Sequence, residues 1–246
     1  MVKTAIITGS SGGIGSAICE TLKHEGWFVI GIDQEVATNT YCDDFLDVDL
    51  KVACEFEQET WKHFLNLLDR KINGRRVGLL VNNAARQDCG RLADTTSSSL
   101  EETFRVNVFS AIELTKFFIN KKFPKKMTII NIGSIHSAAT KAGFGSYAAS
   151  KAALKSITYS MAIEFADRAN CCLIEPGAVE TPMLREGFNG NASLLKELQV
   201  AHPSESICKP ESIAKLIRWI AQIDSDFING ASFNIDGGIR GMLPGP

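Results

Sequence analysis

Tyr147 and Lys151 stand four residues apart in Tyr147-Ala148-Ala149-Ser150-Lys151. On a helix that spacing puts both side chains on one face. A phenol ionises near pH 10, so acid/base work at neutral pH needs ionisation made roughly a thousandfold easier, about 4 kcal/mol in favour of the phenolate. A neighbouring ammonium is one source of that bias. The pair alone says little, since three tyrosines and 16 lysines in 246 residues give about 0.2 matches by chance. Thirteen residues before Tyr147, Gly133-Ser134 offers a hydroxyl that can donate a hydrogen bond to a reacting oxygen. No G-x-S-x-G elbow surrounds Ser134, so it does not read as a nucleophile.

A second group of residues suits a dinucleotide. Thr8-Gly9-Ser10-Ser11-Gly12-Gly13-Ile14-Gly15 lies between an apolar run and a helical pattern. Glycines there let the chain turn tightly and bring backbone N–H groups to a pyrophosphate at the positive end of the helix. The spacing is not the literal G-x-G-x-x-G, and the strand-turn-helix context is what supports the reading. Asp33 follows Gly9 by 24 residues, near the distance at which a carboxylate accepts from adenosine ribose hydroxyls. It would repel a 2′-phosphate, and no arginine stands at Ser10, Ser11 or Gln34 to offset this. NAD is therefore expected over NADP.

These residues need a scaffold that brings strand ends together. Apolar runs predict strands over 4–8, 28–33, 41–47, 78–82, 128–132, 171–175 and 232–235, and several are apolar without interruption, as strands buried on both faces are. Helical periods predict helices over 14–25, 51–72, 100–122, 147–167, 194–200 and 211–223. The alternation predicts an α/β fold, a doubly wound, mostly parallel seven-stranded sheet with helices on both faces, as one domain over 1–246. In such sheets ligands bind beyond the carboxyl ends of the strands. Asn82-Asn83-Ala84-Ala85 and Gly133-Ser134 both follow predicted strands.

Taken together, these motifs resemble the short-chain dehydrogenase/reductase family over essentially the whole chain. The match runs through T-G-x-x-x-G-x-G at Thr8 to Gly15, Asp33, Asp47-Val48, Asn82-Asn83-Ala84, Asn107, Ser134, Tyr147, Lys151, Pro176-Gly177 with Thr181, and Asp236-Gly237-Gly238. The resemblance implies a catalytic tetrad of Asn107, Ser134, Tyr147 and Lys151, whose separations of 27, 13 and 4 fit the family pattern. In that scheme Tyr147 is the acid/base, Lys151 lowers its pKa and holds the nicotinamide ribose, Ser134 fixes the reacting oxygen, and Asn107 holds a water in a proton relay. It also implies coenzyme contacts from Gly9, Ser11, Gly13, Ile14, Gly15, Asp33, Asp47, Val48, Asn83, Ala84, Tyr147, Lys151, Pro176, Gly177, Val179 and Thr181. Ala85 departs from the family's usual glycine and should crowd the coenzyme slightly. The family usually assembles as dimers or tetramers through the helices bearing Asn107 and Tyr147.

Residues 180–210, rich in glycine, asparagine and serine around a short helical core, are expected to form a lid over the substrate. By the same resemblance, substrate meets Arg86, Gln87, His136, Lys141, Phe144 and Met183, with Leu184 and Phe188 nearby. An apolar pocket would suit a steroid or long acyl chain, whereas four of these residues are polar or basic. The expected substrate is a small hydroxy acid, sugar or polyol. Gln87 and His136 match some 3-hydroxybutyrate dehydrogenases, although Phe144 stands near the position of their basic residue. A reductase of 3-oxoacyl or other apolar carbonyl substrates is the alternative, and a non-catalytic dinucleotide sensor the rival from another class. Extended epimerases would need a longer chain, and the enoyl reductase branch spaces its tyrosine and lysine more widely.

Composition sets further limits. With 26 basic and 28 acidic residues there is no global field to attract nucleic acid or an anionic membrane. The clusters at Lys121, Lys122, Lys125, Lys126 and at Arg70, Lys71, Arg75, Arg76 read as helix-end cations. No apolar run approaches the roughly 18 residues of a membrane span, and Ala5-Ile6-Ile7 is too short for an exported signal's apolar core. A cytoplasmic protein is expected. Seven cysteines without C-x-x-C or ligand spacing argue against a disulfide scaffold and predict no metal site. Cys171 and Cys172 read as buried hydrophobes, and Cys89 as a loop thiol.

Overall fold

A computed structural model describes residues 3–35, 41–53, 59–121, 123–188 and 191–242. Seven parallel strands form one sheet in the order β3-β2-β1-β4-β5-β6-β7: β1 Thr4–Thr8, β2 Phe28–Asp33, β3 Asp44–Asp47, β4 Val77–Asn82, β5 Met127–Ile132, β6 Ala169–Pro176 and β7 Ser232–Ile235. The helices are α1 Gly13–His24, α2 Leu50–Ala53, α3 Glu59–Ile72, α4 Ser97–Phe104, α5 Ser110–Asn120, α6 Gly145–Glu164, α7 Pro182–Gly187, α8 Ala192–Ala201 and α9 Pro210–Gln222. This is the doubly wound Rossmann-type architecture expected.

Alternation along the strands explains why their sequences are apolar throughout. Ala5, Ile7, Val29, Leu79, Val81, Ile130, Ile132 and Ile174 point to one face, where Ile18 and Leu22 of α1 and Ile213, Ile217 and Ile220 of α9 cover them. Ile6, Ile30, Ile32, Leu80 and Ile129 point to the other, against Trp61, Phe64 and Leu68 of α3, Leu114 and Phe118 of α5 and Met161 of α6. Fully burying one such side chain contributes about 1.5–3 kcal/mol. With water excluded from both faces, polar groups gather at the strand ends.

Several boundaries differ from the sequence expectation. The third strand starts at Asp44 rather than 41, because pairing with β2 begins at Ile30–Asp44 and the Asp43 carboxylate instead accepts the Val29 N–H at 2.9 Å. The helix predicted over 51–72 is described as α2 and α3, and residues 54–58 lie outside the described residues. The helix predicted from 100 starts at Ser97, where the Thr96 hydroxyl caps the Ser99 N–H. It then widens into a π turn over Arg105–Phe109 before α5. A short helix the periodicity missed, α7, opens on Thr181 and Pro182, a capping threonine followed by proline at the first turn.

Several members of the basic clusters have structural partners. Lys71 pairs with Asp44, Lys121 with Asp69 and Lys126 with Asp226. Arg75 donates to the Lys71 and Ile72 carbonyls at the end of α3. Among the described residues no helix is long and apolar enough to cross a membrane.

Candidate active site

Because all seven strands are parallel, their carboxyl ends share one edge, and the strand order reverses between β1 and β4. The turn after β1 lies at this switch point. Gly9 has φ +64°, and a Cβ there would sit 2.8 Å from the Ala84 Cα. A Cβ on Gly15 would collide with the Gly9 carbonyl oxygen. The Asn83 amide donates to the carbonyls of Thr8 and Gly9 at 3.0 Å each, and the Thr8 hydroxyl accepts the N–H groups of Asn83 and Ala84 at 3.0 Å. These bonds lock the β4 end against the glycine turn. No side chain caps α1 at Gly12, so its N-terminal face is bare backbone, which fits a pyrophosphate.

Asp33 ends β2 with its carboxylate held by the Ser11 N–H at 2.9 Å and the Gln34 N–H at 2.8 Å. The Val48 N–H bonds the Asp33 carbonyl at 2.8 Å, which brings Asp47-Val48 beside it. The site's far wall is less open than the sequence implies. Thr181 already spends its hydroxyl, accepting the Leu184 N–H and donating to the Val179 carbonyl. Its methyl lies 2.9 Å from where a Gly13 Cβ would be, so α7 abuts the glycine turn. Pro176 ends β6, and the Gly177 N–H donates to the Ile235 carbonyl at 3.0 Å.

The four residues read as a tetrad converge. Tyr147 and Lys151 lie one turn apart in α6, both buried, with the Lys151 ammonium 5.6 Å from the Tyr147 ring centroid. Ser134, just past the end of β5, lies near enough to Tyr147 for its hydroxyl to favour the ionised phenol. Lys151 donates to the Ile132 carbonyl at 2.7 Å. Asn107 sits in the middle of the π turn, buried and not facing solvent. Its amide accepts the Arg86 N–H at 2.7 Å, donates to the Arg86 carbonyl at 3.0 Å, and donates to the Ser150 hydroxyl at 2.9 Å. Ser150 in turn donates to the Tyr147 carbonyl. The Asn107 side chain is thus a clamp joining the loop after β4 to α6, with both amide hydrogens spent and one acceptor position of its oxygen left over; π turns of this kind gather at functional sites.

Without the coenzyme's charge, burial governs both groups. Burial pushes the Tyr147 phenol up to about 12, and the Ser134 hydroxyl only partly opposes it. Burial also holds the Lys151 ammonium down at about 8. In the protein alone, desolvation outweighs the contribution of the Ser134 hydroxyl.

The substrate candidates divide. His136 stacks on Phe144, centroids 4.6 Å apart and planes 9° apart, and meets the Tyr147 ring edge-on at 5.7 Å. Its Nδ1 bonds the Thr140 hydroxyl at 2.8 Å, and burial together with Lys141 holds its pKa below the ordinary value. The Lys141 ammonium lies 4.7 Å from the Phe144 ring centroid and 5.7 Å from that of Phe188. Arg86 is engaged with Glu102 at 3.4 Å. Gln87 donates to the exposed Cys89 thiol and lies near Gly187. Met183 is exposed on α7. Cys171 and Cys172 are buried, as read, and burial raises both thiols.

Sequence reasoning missed Ser150 and the cluster around Glu175. A serine inside Tyr147-Ala148-Ala149-Ser150-Lys151 and an ionisable Glu175 at the end of an apolar strand were the available signals.

A bare-backbone helix start at the switch point, with a buried phenol, hydroxyl and ammonium around the next strand end, defines a dinucleotide-dependent oxidoreductase. A family model described as "Enoyl-(Acyl carrier protein) reductase" matches residues 9–240. The 3-oxoacyl-[acyl-carrier-protein] reductase of Vibrio cholerae is 30% identical over 241 residues, covering 96% of this chain and 97% of that protein. Among solved structures, the aldohexose dehydrogenase of Thermoplasma acidophilum superposes with TM-score 0.88 at 24% identity, covering 100% of this chain and 96% of the other. A 4-hydroxyisoleucine dehydrogenase complexed with NADH superposes with TM-score 0.84 at 23% identity, covering 98% and 100%, and a structure with NADP bound also matches. The chain belongs to the short-chain dehydrogenase/reductase family. It is an oxidoreductase of carbonyl and alcohol substrates that uses a nicotinamide dinucleotide.

Proposed function

We propose that the protein is an NAD(H)-dependent dehydrogenase/reductase that interconverts a secondary alcohol and a ketone on a small polar substrate. The observation that carries this reading is the convergence of Ser134, Tyr147 and Lys151 at the β5 end, with the Lys151 ammonium 5.6 Å from the Tyr147 ring centroid and bonded to the Ile132 carbonyl. The bound nicotinamide supplies or takes the hydride. Tyr147 gives its proton to the carbonyl oxygen in reduction and takes it back in oxidation. Ser134 holds that oxygen in place by hydrogen bonding. Lys151, beneath the Tyr147 ring, favours the phenolate when charged, and Asn107 keeps the Arg86–Gln87 loop and α6 in register.

The residues that would hold the coenzyme are Gly9, Ser11, Gly13, Ile14 and Gly15 at the pyrophosphate, and Asp33, Asp47 and Val48 at the adenosine. Asn83, Ala84, Tyr147, Lys151, Pro176, Gly177, Val179 and Thr181 would hold the nicotinamide ribose and ring. The preference for NAD rests on the Asp33 carboxylate at the end of β2, with no arginine at positions 10, 11 or 34.

His136 supports the polar substrate class. Its lowered pKa keeps it neutral near pH 7, and with Nδ1 on Thr140 its Nε2 is the ring nitrogen left for a substrate hydroxyl. Gln87, Arg86, Phe144 and Met183 complete the pocket under a lid of residues 180–210. At the base of that lid the Glu180 N–H donates to the Cys208 carbonyl and the Cys208 N–H to the Ala178 carbonyl. Assembly as a homodimer or homotetramer through α4, α5 and α6 is supported by Tyr159 and Ile163, both exposed on α6.

A second reading, reduction of a 3-oxoacyl thioester, is favoured by the Vibrio cholerae relative. A panel of D-glucose, D-gluconate, 3-hydroxybutyrate and acetoin with NAD, and acetoacetyl-CoA with NADH and NADPH, separates the two. Turnover of the first four with NAD, abolished by Tyr147→Phe while NADH still binds, is the expected result. Turnover confined to acetoacetyl-CoA with NADPH would overturn both the substrate class and the coenzyme preference.

A further inference from the structure

Glu175, one residue before Pro176, is fully buried and ionised at the edge of the site, and nothing in the proposed chemistry uses it. Its Oε1 accepts from the Ser137 hydroxyl and from Arg240 Nη2 at 3.0 Å. Its Oε2 accepts from Lys155 Nζ at 2.9 Å, the Ser232 hydroxyl at 2.7 Å and Arg240 Nη1 at 3.0 Å. The guanidinium thus grips both oxygens as a fork, the geometry in which arginine and carboxylate bind most strongly. Arg240 also donates to the Ser137 hydroxyl at 3.1 Å and to the Asn234 side chain at 2.6 Å.

The donors come from the parts of the site that must keep register. Ser137 lies in the turn immediately after Ser134 and donates its N–H to the Ser134 carbonyl at 3.0 Å. Lys155 continues the α6 face of Tyr147 and Lys151 by one more turn, at i, i+4 and i+8. Ser232 opens β7, and Glu175 itself precedes Pro176-Gly177. A Cβ on Gly133 would lie 3.2 Å from Glu175 Cγ, so the carboxylate stem packs directly under the residue before Ser134. Asp236 and Tyr159 add to the field at Arg240.

We infer that Arg240, through Glu175, is a positioning residue for the reaction: the ion cluster sets where the Ser134 hydroxyl stands relative to Tyr147. Without the fork, the carboxylate that Ser137 and Lys155 share is no longer held in place. A displacement of about 1 Å at a site of this kind costs up to a hundredfold in rate. The inference rests on Ser134 and Tyr147 being the reacting pair, and Tyr147→Phe tests that separately.

The experiment compares the unaltered protein with Arg240→Ala, Arg240→Lys, Glu175→Gln and Tyr147→Phe, using the best substrate of the panel above. It measures kcat and KM across pH 5–9, NADH affinity by fluorescence titration, and thermal unfolding. In Arg240→Ala kcat is expected to fall at least about tenfold with NADH affinity within twofold. Arg240→Lys should restore part of the loss. The Glu175 carboxyl, held down at about 2 by its donors, should titrate higher without the guanidinium, moving the acid limb of kcat upward. Should Arg240→Ala fail to fold, Arg240→Lys decides alone, since it keeps the charge and loses the fork. Unchanged kcat and acid limb in the folded variants, with Tyr147→Phe inactive, would overturn the inference and leave the acid/base reading standing. A parallel fall of kcat, NADH affinity and melting temperature without rescue by lysine would also overturn it, as a purely structural role. Retained activity in Tyr147→Phe would remove the reading beneath it.

Discussion

Replacing Lys151 with methionine should abolish turnover and yet make the coenzyme-free protein more stable at neutral pH. The unfolded chain binds the Lys151 proton with the ordinary pKa of 10.5, whereas burial holds the folded value at about 8. Between these values the unfolded state carries more protons, so wild-type stability rises with pH across the window. The whole cost of keeping the ammonium buried is therefore present below about pH 8 and disappears above 10.5. At about 1.4 kcal/mol for each factor of ten in proton affinity, the cost is about 3 kcal/mol. Methionine fills the space of the lysine stem but leaves the Ile132 carbonyl without the donor now at 2.7 Å, which costs about 1–3 kcal/mol.

The net expectation at pH 7 is a gain of up to about 2 kcal/mol for Lys151→Met. At pH 10.5 the gain is gone, and the variant is the less stable protein by about the cost of the orphaned carbonyl. Urea unfolding followed by circular dichroism at pH 7, 8.5, 9.5 and 10.5 gives both curves, and titrations common to the two proteins cancel in the difference. Lys151→Arg, whose charge cannot be shed, should lose stability at every pH. A difference between wild type and Lys151→Met that stays constant from pH 7 to 10.5 would refute the argument, because it would mean that the buried amine does not titrate in this window.

Two further changes probe the coenzyme cradle. Gly15→Ala drives a Cβ into the Gly9 carbonyl; relieving that collision should cost about 1–3 kcal/mol and weaken NADH binding in a fluorescence titration, and an unchanged affinity would count against the cradle. Asp33→Ala removes a charged acceptor worth about 1.5–3 kcal/mol, so kcat/KM for NAD should fall by about tenfold to a hundredfold while that for NADP holds or rises, and an unchanged ratio would sink the argument for NAD.

The parts of the fold legible in the sequence were those set by local rules. Both faces of the sheet are covered, so strands such as Gly78-Leu79-Leu80-Val81 are apolar at every position and announce themselves. The glycine turn was legible because the close approach of β1, α1 and β4 admits no side chain at Gly9 or Gly15. The boundaries that moved depended on partners distant in sequence. Tyr41 and Cys42 have the residue types of a strand, but pairing with Ile30 starts only at Asp44. The π turn at Asn107 is set by Arg86 and Ser150, on other elements.

The electrostatics were illegible for a stronger reason. Placing Tyr147 four residues before Lys151 predicts attraction, and attraction predicts a lowered phenol; the spacing carries no information on how much water the fold removes. Where burial reaches both groups, the desolvation of each opposes its charged form, and the phenol rises while the ammonium falls. The opposite happens at Glu175, also buried but given five donors, where hydrogen bonds and charge overcome desolvation and hold the carboxyl at about 2. The contrast lies in the number of fixed donors, and four of the five donor bonds at Glu175 come from more than 30 residues away in sequence: Ser137, Ser232 and the two from Arg240. A site that must change its proton state is left with few donors, while a carboxylate that must hold its place is given many. By that rule the titrating pair, Tyr147 and Lys151, and the fixed anchor, Glu175, have different physical tasks although each is a buried ionisable group.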